Sequence, residues 1–195
     1  MVSEPIQALL DVLDVLDRLG VRYAVGGSIA SSVFGEPRST EDADLIADLR
    51  SEHVRPFVEA LRVEFYVDEE SVREALRRHS SFNLIHFKLV RKVDVFIPGN
   101  RPLDRAQLER RRLMILVSDP QRSAYVTSPE DIVLLKLDWF RQGGGVSDRQ
   151  WRDVLGVLKE RGAELDIPYT QSMAAPLGIS DLLARALRES GRVPE

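Results

Sequence analysis

Apolar residues recur at two spacings along this chain, and the two spacings predict helices and strands in alternation. Residues 6–19 place isoleucine and leucine three and four positions apart, which is the helical period, and Gly20 ends the run. The same spacing predicts helices over 28–34, 53–61, 71–78, 103–112 and 128–140, from Ser147 or Asp148 onward, and after Ser180. Short runs, several of them alternating, predict strands over 21–25, 42–47, 64–67, 82–90 and 92–97, the last two as a hairpin pair.

The two parts of the chain differ in the kind of element they contain. Strands and helices are mixed up to residue 127, whereas 128–195 are almost entirely helical. Ser128-Pro129-Glu130-Asp131 has the sequence of a helix start, with serine as the cap and an acid three residues later. The pattern predicts an α/β (α+β) protein with a mixed sheet flanked by helices. The predicted core covers 1–127, and a C-terminal helical region over 128–195 packs on it.

Composition narrows the class of protein. The 195 residues are 44% hydrophobic and 30% charged, which is ordinary for a globular protein. Cysteine is absent, so disulfides and thiolate metal sites are excluded and a reducing compartment fits. No apolar run is long enough to span a membrane, and a signal peptide is not recognisable. We expect a soluble, cytoplasmic protein with no membrane partner, and its net charge of -4 argues against a globally basic nucleic-acid binder.

A glycine-serine turn joins the first predicted strand to the second predicted helix. Gly26-Gly27-Ser28 would let the backbone approach a ligand, and the helix start offers free N–H groups to a phosphate. Taken alone, such a dipeptide is more often a tight turn than a binding site. The sequence excludes a Walker A loop and a dinucleotide fingerprint, because the spacings that define them are absent.

Three aspartates lie on predicted strands. Asp42 and Asp44 are two residues apart, so both side chains lie on one face of their strand. Asp94 lies within the apolar segment 93–97, where a charge needs a partner or a metal ion. Three converging carboxylates repel one another without a cation, and their hard oxygen ligands suit Mg²⁺. Each acid alone is more simply explained as a solvated position or a helix cap, but the combination with the glycine-serine turn favours a metal site.

These motifs together resemble the polymerase-beta-like nucleotidyltransferase superfamily. The similarity covers about residues 22–98 and rests on Gly26-Gly27-Ser28, Asp42-Ala43-Asp44-Leu45 and Val93-Asp94-Val95-Phe96. Within that superfamily, the chain resembles short bacterial proteins related to AbiEii-type toxin nucleotidyltransferases. A looser similarity continues through Ser128–Asp131, Lys136 and 147–153. The core motif is specific for the nucleotidyltransferase fold but does not identify the substrate.

The resemblance implies a metal-dependent enzyme that moves a nucleoside monophosphate from a nucleoside triphosphate, such as ATP, to an acceptor hydroxyl. It assigns Mg²⁺ or Mn²⁺ and the catalysis to Asp42, Asp44 and Asp94, and gives Asp94 a part in deprotonating the acceptor. It assigns the nucleotide to Gly26, Gly27, Ser28, Arg38, Thr40 and Lys136. The acceptor would be tRNA, a protein or a small molecule. A toxin of a toxin–antitoxin pair would have an antitoxin protein as its partner, and the sequence leaves the oligomeric state open.

Several charged residues allow two interpretations. Lys136 lies on an apolar helix, where it neutralises phosphate or packs its stem and extends its head to water. Arg38 contacts phosphate or pairs with a neighbouring glutamate, and Arg149 with Asp153 suits a surface pair. A basic group is an RNA-facing patch or, more simply, a solvated surface; its members are Arg91, Lys92, Arg105, Arg110, Arg111 and Arg112. The three histidines, His53, His79 and His86, lack the spacing of metal ligands and are expected to be structural or exposed.

Two alternatives to an active enzyme stay open. The first is a non-catalytic nucleotide- or protein-binding module on a nucleotidyltransferase fold. Retention of Ser28 and of all three aspartates counts against it. The second is an ordinary α/β domain, which requires every motif to be coincidental.

Overall fold

The computed structural model describes residues 2–191, so Met1 and the last four positions of the predicted helical region lie outside the description. Within it a mixed sheet is surrounded by helices. The helices are α1 (Glu4–Arg18), α2 (Gly27–Phe34), α3 (Ser51–Leu61), α4 (Glu69–Arg78), α5 (Pro102–Glu109), α6 (Pro129–Gln142), α7 (Asp148–Arg161), α8 (Ile167–Leu177) and α9 (Ser180–Glu189). The strands are β1 (Tyr23–Val25), β2 (Asp42–Ala47), β3 (Phe65–Tyr66), β4 (Ser81–His86), β5 (Lys92–Phe96), β6 (Arg112–Ser118) and β7 (Gln121–Val126).

The seven described strands form one sheet in the order β3-β4-β5-β2-β1-β7-β6. The central strand β2 runs parallel to β5 and antiparallel to β1. The predicted hairpin is confirmed, because β4 and β5 pair antiparallel. The α/β class and the mixed, helix-flanked sheet are therefore confirmed.

Period-two alternation separates the two faces of β2 and β5. Ala43, Leu45, Val93 and Val95 are fully buried and belong to the main core, which they share with the apolar side of α1. The alternate positions, which include Asp42, Asp44, Lys92, Asp94 and Phe96, therefore lie on the opposite face of the sheet. The charged face of the sheet thus follows from burying its apolar one.

The second hairpin, β6 with β7, is absent from the sequence-based prediction. The predicted basic helix over 103–112 ends instead at Glu109, and Arg112 begins β6. The β6 segment Leu113–Val117 is apolar at every position, so its sequence does not alternate between apolar and polar residues. Its exposure does alternate at the start, because Leu113 and Ile115 are exposed and Met114 is partly buried. An apolar run without alternation cannot be assigned to strand or helix by period alone. The helix α8 was likewise not predicted, since it carries proline near both ends.

No helix in residues 2–191 has the length and apolar character needed to cross a bilayer.

Buried polar groups fix the start of α6 against α8. The Ser128 hydroxyl caps the helix by accepting the Asp131 N–H, and the hydroxyl also donates to the Asp131 carboxylate at 2.8 Å. The Tyr169 hydroxyl donates to the other oxygen of Asp131, which is fully buried. Burial raises the pKa of Asp131, and the hydroxyls of Tyr169 and Ser128 oppose that rise. Each donor therefore stabilises a charge that water cannot reach.

Replacing Tyr169 by phenylalanine should destabilise the protein by about 1.5–3 kcal/mol, because a buried carboxylate loses a donor that solvent cannot replace. Urea unfolding measures the change. Tyr66→Phe is the matched control, since Tyr66 is exposed and its hydroxyl has no hydrogen-bond partner among the described residues. Equal stabilities of the two variants would contradict the structural role given to Tyr169.

Candidate active site

Three predicted site aspartates lie on the two central parallel strands. In the register of β2 and β5, Asp44 is opposite Asp94 and Asp42 is opposite Lys92. All four side chains lie on the same face of the sheet, because Ala43 and Val93 between them point into the core. Asp42 is exposed, while Asp44 and Asp94 are partly buried. The sheet register therefore brings together carboxylates that are about fifty positions apart in the sequence.

The sequence required a partner or a metal ion for Asp94, and the structure supplies a partner. Its carboxylate pairs with the Lys92 ammonium at 2.8 Å. In the described chain, the group of three side chains with ligand atoms all within 4.8 Å of one another is Asp11, Glu64 and His86, so the three aspartates are not drawn into one cluster. The physical reason is charge: like carboxylates repel one another, and the Lys92 ammonium pairs with one of them.

The glycine-serine turn lies directly against Asp44. Gly27 has a φ of +54°, and a Cβ built on it would lie 1.7 Å from Asp44 Oδ2. The Gly26 N–H donates to the Asp44 carbonyl at 2.9 Å. Burial, and then the charge of Asp94, raises the pKa of Asp44. The turn was expected to bring backbone close to a ligand; what the structure places there is the Asp44 carboxylate, which only glycine accommodates.

An ion network ties the same turn to α7. Arg38 donates from Nε and Nη2 to both carboxylate oxygens of Asp153, at 2.8 and 2.9 Å, and also contacts the Ser28 hydroxyl. Lys136 Nζ donates to Asp153 Oδ2 at 2.7 Å. The expected surface pair of Arg149 with Asp153 is therefore wrong, and so is the interpretation of Lys136 as a lysine with a solvated head, because Lys136 is only 2% exposed. Arg38 likewise pairs with Asp153 rather than with a neighbouring glutamate.

Close packing of α7 on the end of α2 makes this network possible. A Cβ on Gly35 would lie 2.7 Å from the Val157 nitrogen, and one on Gly156 would lie 3.3 Å from the Glu36 nitrogen. Glycine at both positions lets the two backbones approach, which brings Asp153 of α7 to the Arg38 side chain. The sequence signal for Asp153 was indirect: a lysine on an apolar helix needs an acid, but the pattern does not say which one.

The network shifts the pKa values of its members. Burial alone would raise the pKa of Asp153, but hydrogen bonds from Arg38 and Lys136 lower it overall. Burial lowers the pKa of Lys136, opposed by its bond to Asp153. The hydrogen bond to Asp153 raises the pKa of Arg38. One carboxylate thus favours the charged forms of two neighbouring cations.

A cavity of about 480 Å³ opens in front of the aspartates. Of the predicted nucleotide-binding residues, Ser28, Thr40 and Lys136 line it, and Arg38 lies beside it on the Ser28 hydroxyl. The Thr40 hydroxyl donates to the Asp42 carbonyl at 3.0 Å, which fixes the start of β2. The remaining lining residues are Ser39, Glu41, Asp42, Asp44, Asp94, Trp139, Arg149 and Gln150. The polar lining suits a charged ligand.

A second cavity, of about 430 Å³, meets the first at Asp44 and Trp139. Gly26 and Gly27 line it, together with apolar side chains that include Phe96. Gln107 also lines it, is 7% exposed, and makes no side-chain hydrogen bond within residues 2–191. The two cavities therefore share Asp44 and Trp139 in their linings.

The basic group predicted as an RNA-facing patch is largely neutralised. Arg110 and Arg112 contact the carboxylate of buried Glu130, at 3.5 and 3.2 Å. Arg91 pairs with Glu4 at 2.8 Å, and Lys92 pairs with Asp94. Arg111 stacks over the ring of Tyr125. Four of the six members are therefore paired with acids, whereas Arg105 donates only to Asn100 and Arg111 pairs with no acid in residues 2–191, so the group offers less free charge to phosphate than its composition suggests.

His86 belongs to the group of three side chains that sequence spacing could not show, because its members lie far apart in the chain. Its Nδ1 accepts the N–H groups of Lys88 and Leu89, at 3.2 and 3.4 Å. Nε2 therefore carries the proton and faces Asp11 at 3.5 Å. A metal ion would need the lone pair of Nε2, so this tautomer favours a hydrogen-bonded pair over a ligand set.

Replacing Gly27 by alanine should destabilise the protein by about 1–3 kcal/mol more than Gly20→Ala does. Both glycines have positive φ, +54° and +67°, so both variants carry the same kind of backbone strain. Only at Gly27 does the added methyl meet Asp44, since nothing lies within 4 Å of a Cβ on Gly20. Chemical denaturation compares the two variants. Equal losses of stability would show that the Asp44 side chain moves away from the added methyl group at no cost.

Replacing Asp153 by asparagine should cost about 3 kcal/mol, because Arg38 and Lys136 lose their shared counter-charge in a buried place. The lowered pKa of Asp153 means that its contribution is present above its unfolded pKa and is lost as the pH falls through its folded pKa. The difference in free energy of unfolding between wild type and variant should therefore become smaller at acid pH. Urea unfolding at several pH values measures this difference. Glu160→Gln, exposed on the same helix, is the control, and a pH-independent gap would refute the ionic origin.

No protein-family profile matches the sequence, and no curated protein is significantly similar to it. Solved structures do match. An antigenic nucleotidyltransferase-like protein from Paracoccidioides brasiliensis is 19% identical, with a TM-score of 0.56 over 95% of this chain and 93% of that one. ANT(2'')-Ia in complex with adenylyl-2''-tobramycin is 11% identical, with a TM-score of 0.61 over 90% of this chain and 98% of that one.

A third match is the lincosamide antibiotic adenylyltransferase LnuA with bound lincomycin. It is 16% identical, with a TM-score of 0.50 over 77% of this chain and 94% of that one. At these identities the similarity concerns the fold, and the resemblance to AbiEii-type toxins stays a prediction. The chain has the nucleotidyltransferase fold.

Proposed function

We propose that this protein is a metal-dependent nucleotidyltransferase that moves a nucleoside monophosphate from a nucleoside triphosphate to an acceptor hydroxyl. The observation that carries the proposal is the contact of the glycine-serine turn with Asp44, which lies beside Asp94 on the neighbouring strand. A phosphate-binding turn and acidic side chains on one sheet face are the two parts that such a reaction needs.

The aspartates suit divalent cations in their chemistry. Asp42, Asp44 and Asp94 offer only carboxylate oxygens, the ligands that Mg²⁺ prefers. Burial and the charge of Asp94 raise the pKa of Asp44, which means that both disfavour its ionised form. A bound cation would therefore stabilise the ionised carboxylate. We assign Mg²⁺ or Mn²⁺ to these three residues. When bound, such ions would stabilise negative charge on the attacking and leaving oxygens.

The triphosphate is assigned to the cavity in front of the aspartates. Ser28 offers its hydroxyl, and the first turn of α2 offers unpaired N–H groups and the positive end of a helix dipole. Lys136 and Arg38 would supply positive charge, and Thr40 would supply a second hydroxyl. Gly26 and Gly27 line the second cavity instead, so their part would be to place Ser28 and the start of α2 at the edge of the first.

The reaction would be an in-line displacement at the α-phosphorus. The acceptor oxygen forms a bond to phosphorus while the bond from phosphorus to the bridging oxygen breaks, and pyrophosphate leaves. Asp94 would accept the proton of the acceptor hydroxyl, because it lies at the edge of the site opposite Asp44. Products and reactants balance as one nucleotidyl ester, one pyrophosphate and one proton.

We propose a small molecule as the acceptor, bound in the second cavity. Asp44 lines that cavity as well as the first, and the second cavity has the volume of a small-molecule site. The structural neighbours include proteins described with lincomycin and with adenylylated tobramycin, which supports an acceptor of that size. A tRNA or protein acceptor within a toxin–antitoxin pair rests on sequence resemblance alone, and the pairing of the arginines with acids reduces the support for RNA.

The Asp42→Asn, Asp44→Asn double variant should lose nucleotidyl transfer entirely and weaken Mn²⁺ binding, because two of the three assigned ligands lose their charge. Each α-labelled triphosphate is incubated with Mg²⁺ and either hydroxylated antibiotics or cell extract, and the labelled species is identified. Asp48→Asn, at the end of the same strand, is the control. Label on RNA or protein would replace the small-molecule acceptor, and nucleotide binding without any transfer would favour the non-catalytic module.

A further inference from the structure

The ion pair between Lys92 and Asp94 is not explained by folding. The Lys92 side chain is 38% exposed, and an ion pair with that much exposure to water contributes little to stability. Its strand β5 lies between β4 and β2, so its backbone is already paired on both sides. The pair nevertheless lies on the polar face of the sheet, beside the residues to which the proposed function assigns the cation.

The position of Lys92 matches that of a counter-charge for the whole acidic group. It is opposite Asp42 in the sheet register and two residues from Asp94 on the same strand face. The ammonium contacts the Asp94 carboxylate at 2.8 Å and lies in the strand row of Asp42, so its charge acts on both aspartates. Of the other cations in or beside this cavity, Arg38 and Lys136 are held by Asp153, and Arg149 contacts none of the three aspartates in residues 2–191.

An ammonium and a divalent cation compete for the same carboxylate. While Lys92 holds Asp94, part of the negative charge that would attract Mg²⁺ is neutralised. The lysine side chain is long and flexible, and it can exchange an aspartate for a phosphate without movement of β5. A triphosphate brings negative charge of its own, which offers Lys92 a second partner.

Resting on the proposed function, we propose that Lys92 is a positioning residue that competes with the divalent cation for Asp94. It holds the carboxylate in the nucleotide-free protein and releases it when the triphosphate enters. Cation binding thereby depends on the nucleotide, and the protein does not fill its acidic site with free metal ions. A divalent cation alone then binds weakly, and a cation with its nucleotide binds well.

Manganese binding tests this competition without any need for turnover. Free Mn²⁺ is measured by electron paramagnetic resonance as it is titrated into the nucleotide-free protein. Lys92→Gln should tighten Mn²⁺ binding by about fivefold, the factor that corresponds to about 1 kcal/mol for a screened ion pair. Lys92→Arg keeps the competitor and should bind as the wild type does. With a non-hydrolysable ATP analogue present, the advantage of Lys92→Gln should shrink, because Lys92 has already left Asp94.

The controls separate competition from a general change in charge. Arg149→Gln removes one positive charge from the same cavity and should tighten binding by less than twofold, since Arg149 contacts none of the three aspartates in the described chain. In an Asp94→Asn background, Lys92→Gln should have no further effect. Equal tightening by Lys92→Gln and Arg149→Gln, or an unchanged affinity in Lys92→Gln, would overturn the inference.

The proposed function and this inference fail separately. If the Asp42→Asn, Asp44→Asn double variant binds Mn²⁺ as the wild type does, the metal site itself is wrong. If that variant loses Mn²⁺ while Lys92→Gln changes nothing, the metal site stands and only the role of Lys92 is wrong. Circular dichroism checks that each variant folds. If Lys92→Gln does not fold, the Mn²⁺ titration is repeated with Lys92→Met.

Discussion

Crowded negative charge on one face of the central strands is the constraint on which the rest of the site depends. Because β2 and β5 pair in parallel and bury alternate residues, Asp44 and Asp94 are fixed side by side with Asp42 one row away. The backbone cannot relieve their repulsion without disturbing the core. Relief must therefore come from side chains, and Lys92 supplies it at one edge. On the other side the cations are present but committed, since Asp153 holds both Arg38 and Lys136.

Features that depend on local periodicity could be predicted from the sequence. The period of two places Asp42 and Asp44 on one strand face, and the run 42–47 coincides with β2. Helix starts with a polar cap, such as Ser128, are also recognisable because their chemistry lies within four residues. The glycine-serine turn was located correctly, and its contact with Asp44 became visible only in three dimensions. The division of the chain at residue 127 and the roles of the site residues stay predictions.

Features that depend on distant pairing could not be predicted in the same way. Asp153 is more than one hundred residues from Arg38, and the pattern around it equally suits a surface pair with Arg149. The acid that neutralises a buried lysine is set by helix packing, which here requires Gly35 and Gly156. Lys92 was visible as a cation but not as the partner of Asp94, because the sequence does not show which way a flexible side chain turns. The hairpin of β6 and β7 could not be predicted, because the apolar segment that forms β6 does not alternate with polar residues.

The position of Asp153 links the helical part of the chain to the glycine-serine turn. Arg38 contacts both Asp153 and the Ser28 hydroxyl, so the end of the guanidinium is placed by α7 although the residue belongs to the loop before β2. A triphosphate arriving at Ser28 would compete with Asp153 for the same arginine. Since Asp153 also holds Lys136, a shift of either cation toward phosphate would leave the other more firmly bound to the carboxylate. The helix α7 therefore holds both cations beside the glycine-serine turn through one carboxylate, so the packing of the C-terminal helices sets where these two charges lie.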